Sequence, residues 1–137
     1  MAELATGHLK GVTNGAALVL GSGLGGGIII NGKLFQGSHF QAGELTFLLP
    51  LQMEKLDPSL MQETTLSAIG LITKVNEILA SLDLKDGLLA FKAINAKKEA
   101  VYPIFETYCR NLAITILNLQ TIFDMETFVL GGGISAR

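Results

Sequence analysis

"ALVLGSGLGGGIIINGKLF", residues 17–35, is the stretch whose reading decides the fold. Two phosphate-binding patterns run through it. Gly21, Gly23 and Gly26 satisfy G-x-G-x-x-G, the dinucleotide fingerprint, and Gly27, four residues and then Gly32-Lys33 come close to a P-loop. Both patterns need a helix behind them. The fingerprint works because a helix opens at its third glycine and turns its N-terminal N–H groups toward the pyrophosphate. Here Ile28-Ile29-Ile30 follow instead, and β-branched side chains favour a strand. The P-loop lysine precedes a Ser or Thr that meets Mg²⁺, whereas Lys33 precedes Leu34. Context therefore argues against both.

Asn31-Gly32, set between "III" and "KLF", points to a hairpin. A type I′ turn needs φ > 0 at both central residues, which Asn-Gly supplies. The stretch then reads as a strand over 16–20, a glycine turn, a strand over 26–30, a tight turn and a third strand. A glycine turn between antiparallel strands lets the backbone approach an anion, and its successive N–H groups can cradle phosphate oxygens. The same residues also make an ordinary glycine-rich turn with no ligand.

A second glycine cluster favours the ligand. "FVLGGGIS", residues 128–135, is again an apolar strand running into glycines, and two such elements can bracket one nucleotide. Between them "GSHFQAGE" sets Glu44 directly after Ala42-Gly43. A loop carboxylate beside small residues can accept hydrogen bonds from sugar hydroxyls; taken alone, it is more often a solvated surface side chain.

The rest of the chain reads as helices. "AELATGHLKG" predicts a short helix ended by Gly11, and "ELTFLL" a further short strand ended by Pro50. Asp57-Pro58-Ser59 opens a helical region with Leu66, Ile69, Ile72, Val75, Ile78 and Leu79 at helical spacing. Asp86-Gly87 starts another helix through about Asn95. The longest is expected from about Lys97 to Phe123, with Pro103 near its start, where proline is tolerated. Its apolar stripe is Val101, Phe105, Cys109, Leu112, Ile116, Leu119 and Phe123. Cys109 reads as a small buried hydrophobe there. Strands, then helices, then a strand make one layered α/β or α+β domain.

Composition narrows the function classes. A net charge of -2 gives no general attraction to nucleic acid. One cysteine in 137 residues allows no internal disulfide and no Cys-rich metal site, which suits a reducing cytoplasm. No apolar run is long enough for a membrane span. The mean hydropathy of +0.46 suggests apolar surface buried against something outside the chain.

The combined pattern is specific. "LGSGLGGGIIINGKLFQGSHFQAGEL", residues 20–45, resembles the core signature of the ROK family, which contains bacterial sugar kinases and sugar-responsive repressors. "FVLGGGIS" matches that family's later glycine motif, and "AEL" near the start resembles the helix after its Asn-Asp catalytic motif. The resemblance covers essentially all of residues 1–137 as one domain.

It implies most of the C-terminal lobe of a ribonuclease H-like, actin-like ATPase: an α/β fold whose mixed sheet contains an antiparallel hairpin and is packed by helices. In the family a Gly-Thr-Gly turn contacts ATP phosphates; Gly21-Ser22-Gly23 stands there, with serine keeping the hydroxyl. Gly131, Gly132 and Gly133 match the turn beside the adenosine. Glu44 matches the sugar-binding glutamate, and His39 in the same loop is a weaker candidate. The resemblance further implies Mg²⁺ with the ATP, a homodimer and a cytoplasmic ATP:sugar phosphotransferase.

Departures matter as much. The phosphate-binding Asp-x-Gly-Gly-Thr segment of the N-terminal lobe is not found, and the catalytic aspartate is expected just before residue 2. The sequence thus reads as a fragment, inactive alone, with no catalytic residue of its own. Phe47 stands where many members carry a zinc- and sugar-binding histidine, and "LLPLQMEKLDPS", residues 48–59, replaces the Cys-rich zinc loop. A zinc-free branch is expected. The alternative parent is a sugar-sensing repressor, in which case nucleic acid becomes a partner through an upstream helix-turn-helix.

Overall fold

The structure, a computed structural model, describes residues 7–48 and 65–135. Strands β1 (Gly15–Leu20), β2 (Leu24–Ile30) and β3 (Lys33–Phe35) come first. Helices α1 (Ala68–Ile78), α2 (Gly87–Asn95) and α3 (Tyr102–Phe123) follow, and β4 (Thr127–Gly132) closes the described chain. The sheet order is β3-β2-β1-β4. β1 pairs antiparallel with β2 and parallel with β4, so the sheet is mixed.

The glycine stretch folds as its context argues. Asn31 and Gly32 both take positive φ, +53° and +70°, as a type I′ turn requires. The turn is anchored from outside: Asn31 N–H donates to the Asn14 side chain (3.0 Å) and Gly32 N–H to the Thr13 carbonyl (2.8 Å).

Period-two alternation decides which face is buried. Ala16, Leu18 and Leu20 of β1, with Leu24 and Ile28 of β2, join one core with Leu71, Val75, Ala90, Ile94 and Leu119 of the helices. Ile29 points to the other face and is also buried, as is Leu9. Gly15 makes room there, since a Cβ on it would lie 2.9 Å from Val12 and 3.0 Å from Leu9. Side-chain caps start α1 and α2: Ser67 accepts from Gly70 N–H and Asp86 from Leu89 N–H. Asn76, fully buried, donates from Nδ2 to the carbonyls of Leu84 (3.2 Å) and Asp86 (3.0 Å), tying the α1–α2 connection to α1.

Several expectations need correction. "ELTFLL" is no strand in its described part: Leu45–Phe47 form a single 3-10 turn, because Leu45 drops into the core and Phe47 turns outward. Residues 7–11 form turns ending at Gly11, which takes φ +78°; the rest of that expected helix lies outside the described residues, as does Asp57-Pro58-Ser59. The first described helix begins at Ala68, so Leu66 precedes it, though fully buried. Helix α3 begins at Tyr102 rather than Lys97, because Lys97 sits at φ +49° and ends the preceding turn.

Cys109 is exposed, not a buried hydrophobe. The rest of the apolar stripe faces the core: Val101 and Leu119 are buried and Phe105, Leu112, Ile116 and Phe123 pack against it half-buried, with Tyr108 and Thr115 buried beside them. Thr115 satisfies its hydroxyl one turn back, on the carbonyl of Asn111, and Tyr108 reaches the distant carbonyl of Leu66. Two polar residues thus join the buried face of α3 beside its apolar stripe.

Candidate functional site

Parallel pairing of β1 with β4 matches Leu20 to Gly132. Both glycine clusters therefore leave the sheet at the same end. The first is the turn Gly21-Ser22-Gly23 between β1 and β2. Gly21 is held on both sides: its N–H donates to the Gly23 carbonyl (3.0 Å), and its carbonyl accepts from Ala68 N–H (2.8 Å) at the start of α1. That start is held in turn. The Tyr108 hydroxyl of α3 donates to the Leu66 carbonyl at 3.1 Å, and burial pushes the phenol up to about 12. The tip, Ser22, projects from a turn braced by α1 and, through Leu66, by α3.

Two recesses share this turn. One, of about 220 Å³, is apolar: Leu20, Ile69, Ile72, Phe91 and Ile134 line it, with Gly133 at the rim and Gly21-Ser22 as one wall. Its makeup explains why Ile69 of the expected α1 core stripe is half exposed: that residue is a recess wall. The other, of about 330 Å³, lies across the turn and is lined by Ser22, Gly23, Gly25, Glu44 and Thr46. Among the described residues, Glu44 is its only carboxylate. The 3-10 turn presents it: Glu44 N–H donates to the Gln41 carbonyl (3.2 Å), and its own carbonyl accepts from Phe47 N–H (3.3 Å). A larger cavity of about 490 Å³ between α1 and α3 contains neither glycine cluster.

Among the predicted site residues, Gly21, Ser22, Gly23 and Glu44 come together around one recess, and Gly133 joins Gly21 and Ser22 at the other. Gly132 stands behind them, and a Cβ on it would overlap the Leu20 carbonyl oxygen. Gly131 lies within β4 opposite Val19. His39 is exposed and lines neither recess. Sequence reasoning missed the bracing residues. Ser67 carried a signal, as a capping residue just before an apolar run. Tyr108 carried none, since its role depends on a contact 42 positions away. Among the described residues, no three His, Cys, Asp or Glu side chains cluster as metal ligands would, and no helix is long and apolar enough to cross a membrane.

The model of the ROK family matches residues 1–137. The chain belongs to the ROK family. Among its relatives, the β-glucoside kinase of Klebsiella pneumoniae is 29% identical over 140 residues, covering 100% of this chain and 47% of that protein. The glucokinase of Halalkalibacterium halodurans is also 29% identical, over 98% of this chain and 46% of that protein. This ROK chain thus spans about half the length of the curated relatives it matches. Among solved structures, a ROK protein from Streptococcus pneumoniae in complex with sucrose superimposes with a TM-score of 0.83 at 31% identity, over 99% of this chain and 45% of that one. A ROK glucokinase from Streptomyces griseus, in complex with glucose and AMPPNP, gives 0.78 at 24%, over 98% and 49%. A ROK transcriptional regulator homologous to the E. coli MLC protein gives 0.76 at 23%, over 96% and 36%. The fold is the actin-like α/β architecture of these kinases, and a regulator shares it, so fold alone does not separate catalysis from regulation.

Proposed function

We propose that this chain is the part of an ATP-dependent hexose kinase, residues 1–137 acting as one unit, that supplies one wall of the nucleotide and sugar clefts. The observation carrying this reading is the shared turn: Gly21 and Ser22 line both the apolar recess and the Glu44 recess. A phosphoryl donor and its acceptor must meet at one phosphate, and a braced turn between a base-sized apolar recess and a carboxylate recess suits that meeting.

In this reading the adenine packs against Ile69, Ile72, Phe91 and Ile134, with Gly131–Gly133 beside the adenosine. The Gly21–Gly23 backbone and the Ser22 hydroxyl meet the phosphates. Glu44 accepts hydrogen bonds from sugar hydroxyls, and His39 is the weaker contact. Mg²⁺, which spreads phosphate charge when bound, would take most of its ligands from phosphate oxygens and water, because Glu44 is the only carboxylate at the recess among the described residues. No zinc role is assigned. The general base that takes the sugar proton belongs to the part of the relatives' length that this chain does not span. Alone, the chain is expected to be inactive.

The second reading is the effector-binding part of a sugar-responsive repressor, and the shared fold of the regulator supports it. The Ser22 hydroxyl at the phosphate turn favours the kinase. Calorimetric titration of the purified chain with AMPPNP and with glucose tests the proposal. Binding of AMPPNP that Ser22→Ala weakens, and of glucose that Glu44→Ala weakens, supports it. Glucose binding without any response to AMPPNP favours the repressor. Phosphorylation of a hexose by the 137-residue chain would overturn the fragment reading. Self-association through exposed apolar side chains such as Leu82, Leu88, Leu117 and Ile122 is expected, and light scattering showing a monomer at high concentration would refute it.

A further inference from the structure

We propose that Gly26, the third glycine of the misleading fingerprint, is a positioning residue: its missing side chain is the seat on which the Glu44 turn docks. The inference rests on the reading of Glu44 as the sugar ligand, but its geometry stands apart from that reading. Gly26 lies within β2, opposite Leu18 of β1, and is not part of the Glu44 recess. It meets no ligand itself. A Cβ placed on it would sit 2.5 Å from the Gly43 carbonyl oxygen and 2.6 Å from both Cγ and Cδ1 of Leu45. Those two residues flank Glu44.

The contact is reciprocal. Gly43 adopts φ +90°, and a Cβ on it would lie 3.3 Å from Gly27 Cα and 3.4 Å from the Gly26 carbonyl oxygen. The two backbones meet directly, glycine against glycine, and Leu45 beside them is buried in the core. This fixes the height of Glu44 above the sheet. Because β2 also runs into the Gly21–Gly23 turn, one strand carries the phosphate side of the cleft at its end and the sugar side on its face.

A side chain at Gly26 must displace something. The strand is held by β1 through six paired positions, whereas the turn at Glu44 is a surface loop, exposed at Gln41, Glu44 and Phe47. The loop is the part that yields. Gly27, one residue on, points to the opposite face, where among the described residues a Cβ would meet only Leu34 Cδ1 at 3.9 Å. Gly27→Ala therefore repeats the chemical change on the same strand without touching the seat.

The test uses the full chain and two readouts. Hydrogen exchange needs no ligand: the N–H groups of Glu44, Leu45, Phe47 and Leu48 are all bonded within residues 41–48. Gly26→Ala is expected to accelerate exchange there while residues 15–24 keep their protection, and Gly27→Ala is expected to match the parent. Titration with glucose and with AMPPNP is the second readout. Gly26→Ala should weaken glucose binding about tenfold or more, since small misplacements of a binding group carry costs of that order. It should leave AMPPNP within about twofold, a split that general destabilisation would not produce. If Gly26→Ala fails to fold, Leu45→Ala, which removes the Cγ and Cδ1 resting over Gly26, tests the same contact from the loop side. Parent-like exchange over 41–48 in the folded variant, or equal effects of Gly26→Ala and Gly27→Ala, would overturn the proposal. A parent chain that binds AMPPNP but no glucose would sink the role of Glu44 while the exchange result still decides the seat.

Discussion

Gly21 and Gly132, one from each glycine cluster, look alike in sequence and meet opposite surroundings in space. At the first turn a Cβ on Gly21 would meet nothing within 4 Å among the described residues; at the second, a Cβ on Gly132 would overlap Leu20, whose backbone N it would approach at 2.8 Å. One glycine faces a recess. The other faces its own protein, at φ +108°, and lets β4 close against β1 where the strands end. A glycine motif thus mixes residues that border open space with residues kept small for a neighbouring backbone, and only the fold separates them.

The largest expected effect follows from that contrast. Gly132→Ala combines a left-handed backbone with a backbone overlap, and neither can be relieved by rotating a side chain. We expect a loss of about 3 kcal/mol or more, read as a lower midpoint in urea unfolding. Gly21→Ala, with open space and no positive φ, should stay within about 0.5 kcal/mol of the parent. Equal losses at the two positions would erase the distinction between the turns.

The next effect tests the bracing of the first turn. Tyr108→Phe removes the hydroxyl that satisfies the Leu66 carbonyl and leaves that buried acceptor without its donor, at a cost of about 1–3 kcal/mol. Because residues 66–68 hold Gly21, the variant should also speed exchange at Ala68 N–H, which the second turn cannot report. Unchanged protection at Ala68 would mean the first turn stands without α3.

Protonation provides a finer probe of the same brace. The phenol of Tyr108 is pushed up to about 12 by burial, while an unfolded tyrosine ionises near pH 10. The folded chain thus favours the neutral phenol. Its contribution is fully present below about pH 10 and is lost as pH rises from there toward 12, because the unfolded state gives up its proton first. Urea unfolding at a series of alkaline pH values should show a steeper fall for the parent chain than for Tyr108→Phe. Parallel slopes would refute the assignment.

Much of this architecture was legible. Asn31-Gly32 specified a hairpin because few dipeptides tolerate two positive φ values in succession. Asp86 marked the start of α2 because an aspartate before an apolar run caps a helix. Ser22 and Glu44 were found by resemblance, and the structure brings them to one recess. What stayed hidden has a common physical cause. The seat at Gly26, the overlap at Gly132 and the Tyr108 brace are each contacts between segments distant in sequence, and periodicity reports only which face a residue occupies. Hydropathy placed the apolar stripe of α3 on the core but erred at one position, since it scored Cys109 above Tyr108 although a phenol that reaches a carbonyl can be buried.

The smallest expected effect turns that last error into a measurement. Cys109 and Tyr108 are adjacent on α3, yet one side chain is exposed and the other buried. Cys109→Ser should therefore change stability by no more than about 0.5 kcal/mol, against the larger loss at Tyr108. In the native chain the thiol should react fully with a disulfide reagent. Desolvation holds its pKa above the ordinary thiol value, so the rate should still be rising above pH 9, as the thiolate is the reactive form. A thiol that reacts only after unfolding would put Cys109 in the core and turn α3 away from the orientation that aims Tyr108 at Leu66, and the brace on the first turn would lose its geometric basis.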